Sequence, residues 1–117
     1  MAASKTSNRY FSNIQEKRVA KAVGGRKTSN SGATKFSKGD VSNDNWLFEA
    51  KTKTTPSESM SIKREWLDKN AEEAFAMGKD YSAVVIDFGC GDNYYIVDEK
   101  TFLRMMNALA KEESYDE

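Results

Sequence analysis

A short apolar segment in the second half of the chain constrains the fold more than any other feature. Ser82–Phe88 reads SAVVIDF and is rich in β-branched residues, which is typical of a strand that is buried in a sheet. A strand of this kind needs other elements packed on it, because an uncovered sheet would leave its apolar side chains in water. We therefore expect an α/β domain.

Turn and capping residues divide the rest of the sequence. Ser12 and Gln15 have the spacing of a capping box at a helix start. Glycines after residues 23 and 77 are typical helix stops, and Asp98 is a candidate N-cap for the last helix. The order is helix, hairpin, helix, strand, strand and helix, which predicts a small mixed β-sheet flanked by helices. The expected helices are 13–23, 62–77 and 98–110, the expected strands are 40–41, 46–53, 82–88 and 93–97 with another near 35–37, and the expected core includes Phe75, Phe88, Phe102, Leu103 and Met106.

Length and composition limit the organisation and the chemistry. The 117 residues fit one domain, which we divide into a flexible N-terminal arm at 1–11, a single domain at 12–111 and an acidic tail at 112–117. The single cysteine and the absence of histidine exclude a disulfide within the chain and argue against a Cys/His zinc site. Neither a membrane span nor a secretory signal is expected, so we expect a cytoplasmic protein.

Charge is distributed unevenly along the chain. Residues 1–39 contain nine Lys/Arg and one acid, for a net charge of +8, and residues 40–117 contain nine Lys/Arg and 17 acids, for a net charge of −8. One interpretation is nucleic-acid binding, and the other is a basic segment or plain linker on an ordinary domain. The candidates for contacts with DNA phosphates are Arg26, Lys27, Lys35 and Lys38 in the Gly/Ser-rich loop 24–39, and Lys53 after the hairpin.

The residues that best match a known chemistry are Asp40, Glu49 and Lys51. With the hairpin loop at 42–45, Asp40 would face Leu47, and alternation would place Glu49 and Lys51 on the same face of the sheet as Asp40. Glu-x-Lys alone is weak evidence, since charged surface strands often contain it. An aspartate nine residues upstream, across a turn, makes the combination more specific.

Phosphodiester hydrolysis requires the groups that this hairpin would bring together. Two carboxylates bind Mg²⁺ through oxygen, and the bound metal polarises the phosphate and lowers the pKa of a water. A lysine beside the metal orients that water or stabilises charge on the phosphate. The backbone carbonyl of Ala50 is a candidate for a further metal ligand. The hairpin therefore predicts a metal-dependent nuclease site.

The combination resembles the PD-(D/E)XK nuclease superfamily, and within it the small Holliday junction resolvases of archaeal type and their phage-encoded relatives. The likeness spans about residues 12–110 and is carried by Glu16, Ser31-Gly32-Ala33, Lys38-Gly39-Asp40 and Glu49-Ala50-Lys51. Two departures are the glycine at position 39, where the superfamily name has a proline, and the short interval between the two carboxylates. The resemblance implies a restriction-endonuclease-like core.

The resemblance also implies roles for individual residues. Asp40 and Glu49 would be metal ligands, and Lys51 would be the catalytic lysine. Glu16 would be a further ligand from the first helix, and Ser31 would reach the DNA near the site. Mg²⁺ or Mn²⁺ would be the cofactor, and a homodimer would cut two strands symmetrically.

Three functions remain open at this point. The first is a structure-selective endonuclease, specifically a Holliday junction resolvase acting in DNA recombination or repair. The second is a phage or prokaryotic nuclease acting on duplex, flap or single-stranded DNA. The third is a non-catalytic DNA-binding protein on a decayed nuclease fold, and the intact Asp40, Glu49 and Lys51 argue against it.

Overall fold

Three helices and five strands form the described part of the chain, residues 3–28 and 40–116 of a computed structural model. Among the described helices, none combines the length and apolar character that a membrane span needs. The helices are α1 (Ala3–Val23), α2 (Arg64–Ala76) and α3 (Glu99–Asp116). The strands are β1 (Arg26–Lys27), β2 (Val41–Ser42), β3 (Trp46–Thr52), β4 (Tyr81–Asp87) and β5 (Asn93–Ile96).

The five strands form one sheet in the order β1-β2-β3-β4-β5. β3 and β4 run parallel over seven residue pairs, from Trp46 opposite Tyr81 to Thr52 opposite Asp87, and the other neighbours are antiparallel. α2 forms the crossover between the parallel strands, which a parallel pair requires. The predicted mixed sheet with helices is therefore confirmed.

The central strands β3 and β4 are buried on both faces. Phe48 and Val85 belong to one cluster of buried residues with Val19 of α1. Because side chains alternate along a strand, the fully buried Leu47 points to the opposite face, where α2 contacts both strands. Helices on two faces explain why the segment 82–88 is almost continuously apolar.

Two buried amide side chains, one from each helix that covers the sheet, bind the β3–β4 ladder. Gln15 of α1 is 2% exposed and donates from Nε2 to the Lys51 carbonyl at 2.9 Å. Asn70 of α2 is 1% exposed and donates from Nδ2 to the carbonyls of Leu47 at 3.2 Å and Ala83 at 3.1 Å. A buried amide without partners costs about 1–3 kcal/mol, so these hydrogen bonds fix where both helices rest on the strands.

The predicted helix stops and the cap of α3 are confirmed. Gly24 and Gly78 follow α1 and α2 closely and have φ angles of 65° and 73°, the left-handed conformation that commonly ends a helix. Asp98 Oδ1 accepts a hydrogen bond from the Thr101 backbone N–H at 2.9 Å, as an N-cap does. Local chemistry therefore predicts these three boundaries correctly.

Other element ends differ from the prediction. α1 begins at Ala3 instead of residue 13, so Ser12 lies inside the helix and does not start it, and most of the expected arm is helical. α3 continues to Asp116 and includes the acidic segment that was expected as a tail. Neither helix contains a glycine or proline that would stop it earlier. The strand β1 was not predicted, and the strand expected near 35–37 lies outside the described residues.

The predicted core is wrong at four apolar side chains and includes a fifth, Phe88, that is only partly buried. Phe75 is 86% exposed on α2. On α3, Thr101 is buried against the rest of the molecule, whereas the apolar side chains that follow it face outward. Helical periodicity identifies an apolar face, but it does not show whether another element covers that face. The exposed residues of α3 that were expected in the core are Phe102 at 55%, Leu103 at 43% and Met106 at 47%.

We predict that Leu47→Ala lowers the free energy of unfolding by about 2–5 kcal/mol, because it opens a cavity beneath α2. Phe75→Ala is the matched control, since that side chain is 86% exposed, and it should change stability by no more than about 0.5 kcal/mol. Urea unfolding followed by circular dichroism measures both. Equal losses in the two variants would contradict the assignment of Leu47 to the core.

Candidate active site

The β2–β3 hairpin sets the geometry of the site, and its register differs from the prediction. Val41 lies opposite Phe48 and Ser42 opposite Leu47, so residues 43–45 separate the two strands and the predicted pair of Asp40 with Leu47 is wrong. The physical cause is a side chain in the turn. Asn43 Oδ1 accepts hydrogen bonds from the backbone N–H groups of residue 45 at 3.0 Å and residue 46 at 2.8 Å, which closes an Asx-type turn one residue later.

Asp40 is held at the edge of β3 by two hydrogen bonds. Its backbone N–H donates to the Phe48 carbonyl at 2.8 Å. Its Oδ2 accepts a hydrogen bond from the Ala50 N–H at 2.7 Å. The carboxylate thus occupies the place where a longer β2 would offer a backbone acceptor, and its position is fixed by the strand itself.

Glu49 and Lys51 lie beside this carboxylate on β3. Lys51 Nζ is 3.1 Å from Glu49 Oε2, and the two side chains are 33% and 21% exposed, respectively. Lys51 Nζ also lies 5.0 Å from the centre of the Trp66 ring of α2, a distance at which an ammonium group is attracted to the aromatic face. The ammonium group of Lys51 therefore contacts both a carboxylate on its own strand and an aromatic ring on α2.

The charges of the other predicted residues lie close enough to Asp40 to affect the pKa of its carboxyl group. Burial, the negative charge of Glu49 and, more weakly, that of Glu16 raise the pKa of Asp40 from its ordinary value of 3.8 to about 7. The Ala50 N–H and the Lys51 ammonium oppose that rise. Thus four predicted side chains, Asp40, Glu49, Lys51 and Glu16, share one electrostatic environment although they come from three elements of the chain.

Glu16 reaches this environment through a cleft between α1 and the β1–β2 edge of the sheet. Lys27 Nζ lies 3.4 Å from Glu16 Oε1 and donates to Asn13 Oδ1 at 3.1 Å. The cleft has a volume of about 600 Å³, and Asp40 also lines it. The other described residues that line it are Arg9, Ser12 and Thr28.

The donor set fits a hard divalent cation with few protein ligands. Among residues 3–28 and 40–116, no three carboxylate, thiol or imidazole side chains approach closely enough to form a metal site by themselves. Asp40 and Glu49 supply two carboxylates, and a residue's C=O points to the same side of a strand as its N–H, so the Ala50 carbonyl points toward Asp40. Mg²⁺ commonly takes one or two carboxylates and keeps several waters, which is compatible with this arrangement.

The predicted DNA contacts are only partly described. Arg26 and Lys27 lie on β1 with their side chains exposed, and Lys27 is paired with Glu16. Lys53 is exposed just after β3, where its backbone N–H donates to the Asp87 carbonyl at 3.0 Å. Ser31, Lys35 and Lys38 lie outside the described residues.

Sequence reasoning missed the supporting role of Gln15. Besides Lys51, its Nε2 approaches the Val85 carbonyl at 3.4 Å and Asn93 Oδ1 at 3.3 Å, so it links α1 to three strands. Its Oε1 is buried without a hydrogen-bond partner in the described part of the chain. The sequence contained a signal, because Gln15, Val19 and Val23 recur every four residues on the helix face that contacts the sheet.

Asp87 shapes a turn rather than the candidate site. It is 4% exposed, and its Oδ1 accepts hydrogen bonds from the N–H groups of Gly89 at 2.8 Å, Cys90 at 3.0 Å and Gly91 at 3.1 Å. Arg18 Nη1 lies 3.7 Å from its Oδ2. These contacts satisfy a buried carboxylate and stabilise the turn between β4 and β5.

Comparison of the chain with protein-family models, curated proteins and solved structures found no match.

We predict that Asp40→Asn stabilises the metal-free protein at pH 8 and has little effect at pH 4. The pKa of Asp40 is about 7 in the folded state against an ordinary value of 3.8, so the folded state keeps a proton that the unfolded state releases between these values. The stability that the protonated Asp40 carboxyl contributes is therefore lost as the pH rises from about 4 to about 7. At about 1.4 kcal/mol per pH unit, the gain of the variant at pH 8 has an upper bound of about 4 kcal/mol.

Urea unfolding in EDTA at both pH values measures this difference. Glu49→Gln is the companion variant, because removing the neighbouring negative charge should lower the pKa of Asp40, as read from its side-chain ¹³C carboxyl shift. A difference in stability between Asp40→Asn and the parent protein that is the same at pH 4 and pH 8 would show that Asp40 is not held in its protonated form by the fold.

Proposed function

We propose that this protein is a Mg²⁺-dependent DNA endonuclease with Asp40, Glu49 and Lys51 in its active site, and that its substrate is branched DNA, specifically a four-way (Holliday) junction. The observation that carries the proposal is the convergence of these three side chains at the edge of β3, where the Asp40 carboxylate is anchored on the Ala50 N–H at 2.7 Å. The mixed sheet flanked by helices is compatible with a restriction-endonuclease-like core and with the resemblance to PD-(D/E)XK nucleases.

Asp40 and Glu49 would hold the cation, with the Ala50 carbonyl as a further ligand. When bound, Mg²⁺ or Mn²⁺ supplies polarisation of the phosphodiester and lowers the pKa of an attacking water. Asp40 must release its proton to bind a cation, so the elevated pKa of its carboxyl makes cation affinity increase with pH up to about 7. Glu16 lies close enough to add negative charge on the side of α1, in the cleft that Asp40 also lines.

Lys51 would act on the phosphate itself. Its ammonium group lies 3.1 Å from the Glu49 carboxylate and 5.0 Å from the centre of the Trp66 ring, so both groups help to orient it. From this position it would donate hydrogen bonds to a phosphate oxygen and stabilise the charge that develops there. Trp66 and Gln15 are then positioning residues, because one orients the ammonium group and the other holds the Lys51 carbonyl.

Cations beside the cleft would position the DNA backbone. Arg9 and Lys27 line the cleft, Arg26 is exposed next to Lys27 on β1, and residues 1–39 carry a net charge of +8. Phosphate contacts of this kind orient DNA without reading its sequence and weaken steeply with salt. We therefore expect recognition of DNA shape rather than of base sequence.

We predict that Asp40→Asn, Glu49→Gln and Lys51→Met each lower the cleavage rate by at least about 100-fold, because each removes a group that acts on the scissile phosphate or its metal. Glu16→Gln should lower it less, by about 10-fold. Glu72→Gln and Lys111→Met are matched controls on exposed helix surfaces, and they should cleave at the parent rate. The assay measures single-turnover cleavage of a four-way junction with Mg²⁺, with Mn²⁺ and with EDTA.

The same assay tests the substrate. A linear duplex of identical sequence should be cut at least about 10-fold more slowly than the junction, because the proposed contacts recognise shape. Equal rates would retain the nuclease chemistry and remove the preference for junctions. DNA binding without cleavage in either metal would support a non-catalytic DNA-binding protein.

A further inference from the structure

Helix α3 presents a large apolar surface that no described element covers. Its exposed side chains lie at positions 102, 103, 105, 106 and 109. Single exposed apolar residues are common, but a contiguous row of this size usually marks an interaction site. The exposed fractions are 55% for Phe102, 43% for Leu103, 46% for Met105, 47% for Met106 and 58% for Leu109.

The apolar face of α3 is distinct from the side that contacts its own chain. Thr101 is buried and Arg104 Nη1 donates to the Tyr81 hydroxyl at 2.9 Å, so this side lies against the sheet. Phe102, Met106 and Leu109 recur at intervals of four and three residues, which places them in one stripe along the helix. This spacing is that of a seam between two helices.

The stripe continues into an apolar groove on the sheet. The groove has a volume of about 270 Å³, and Met105 of α3 lines it together with Trp46, Phe48, Tyr95 and Val97. The stripe and the groove therefore form one surface, and a helix packed along α3 would also reach the groove.

The exposed area is sufficient for a pair of chains. Five side chains of on the order of 150 Å² each, about half exposed, offer about 400 Å² of apolar area per chain. Two copies would bury about 800 Å², and since about 65% of a homodimer interface is apolar, the total would be about 1,200 Å². This value reaches the lower end of the range for stable specific interfaces.

The charges on α3 favour an antiparallel second copy over a lipid surface. The nine residues 99–107 contain two cations and one acid, for a net charge of +1, and the nine residues 108–116 contain one cation and three acids, for a net charge of −2. An antiparallel pair places each half against the opposite charge of its partner. Helices that bind membrane surfaces are usually rich in Lys and Arg on their polar face, whereas α3 has a net charge of −1.

We propose that α3 is the interface of a symmetric homodimer, in which the stripe Phe102–Leu109 of one copy packs antiparallel to the same stripe of a second copy, with the groove around Met105 completing the contact. A two-fold interface uses the same surface on each chain, and this stripe meets that requirement. The proposal stands on α3 alone and does not depend on the nuclease activity.

Sedimentation velocity of the full chain from about 5 to 200 μM tests the interface. The parent protein should become dimeric within this range. Leu109→Glu should stay monomeric, because its dissociation constant for the dimer should be at least about 30-fold larger. Asn107→Glu introduces the same charge on the polar side of α3 and should dimerise like the parent. Circular dichroism checks that all variants keep their helix content.

A disulfide test supplies a second readout that does not need a disruptive variant. In a Cys90→Ser background, Met106→Cys should form a covalent dimer under mild oxidation, because residue 106 lies near the middle of the stripe, and Asn107→Cys should not. A parent protein that is monomeric at 200 μM, or equal cross-linking at the two positions, would overturn the proposal. Binding of the monomer to neutral or anionic vesicles would assign the stripe to a lipid surface instead.

Discussion

The fold depends on the parallel ladder between β3 and β4. These two strands are the only parallel neighbours in the described sheet, and helices cover both of their faces. A buried amide from each helix, Gln15 on one face and Asn70 on the other, donates to carbonyls of this ladder. Each amide has a buried oxygen without a partner in the described part of the chain, a cost that purely apolar side chains would avoid. In return for this cost, the hydrogen bonds of the two amides fix the positions of α1 and α2 on either side of the segment Glu49–Lys51.

The geometry of the candidate site depends on the position of β3 in this ladder. β3 continues past the end of its pairing with β2, and this leaves the Ala50 N–H free to bind the Asp40 carboxylate. The carboxylate is therefore partly buried next to Glu49, and its pKa rises to about 7. A site that holds two acids together against repulsion is less stable than it would be with neutral residues, and a divalent cation would relieve the repulsion. The closeness of Asp40 and Glu49 thus explains both the repulsion between their carboxylates and the proposed binding of a cation.

Short-range chemistry in the sequence predicted much of this arrangement, and long-range contacts decided the rest. The glycines at 24 and 78 and the Asp98 cap set helix ends through their own backbone geometry, so they were predictable. The hairpin register depended on the Asn43 side chain, and a shift of two residues in pairing kept Asp40 near Glu49. The exposure of α3 was not predictable, because periodicity identifies an apolar face without its partner.

The central claim is that the carboxylates of Asp40 and Glu49 bind one divalent cation beside Lys51. Paramagnetic broadening by substoichiometric Mn²⁺, read on the side-chain ¹³C carboxyl signals, tests this claim directly. The account predicts that the Asp40 and Glu49 signals broaden first and together, with Glu16 following more weakly. The account would be contradicted if the Asp40 and Glu49 signals stayed sharp while those of Glu112 and Glu113, exposed acids of α3, broadened.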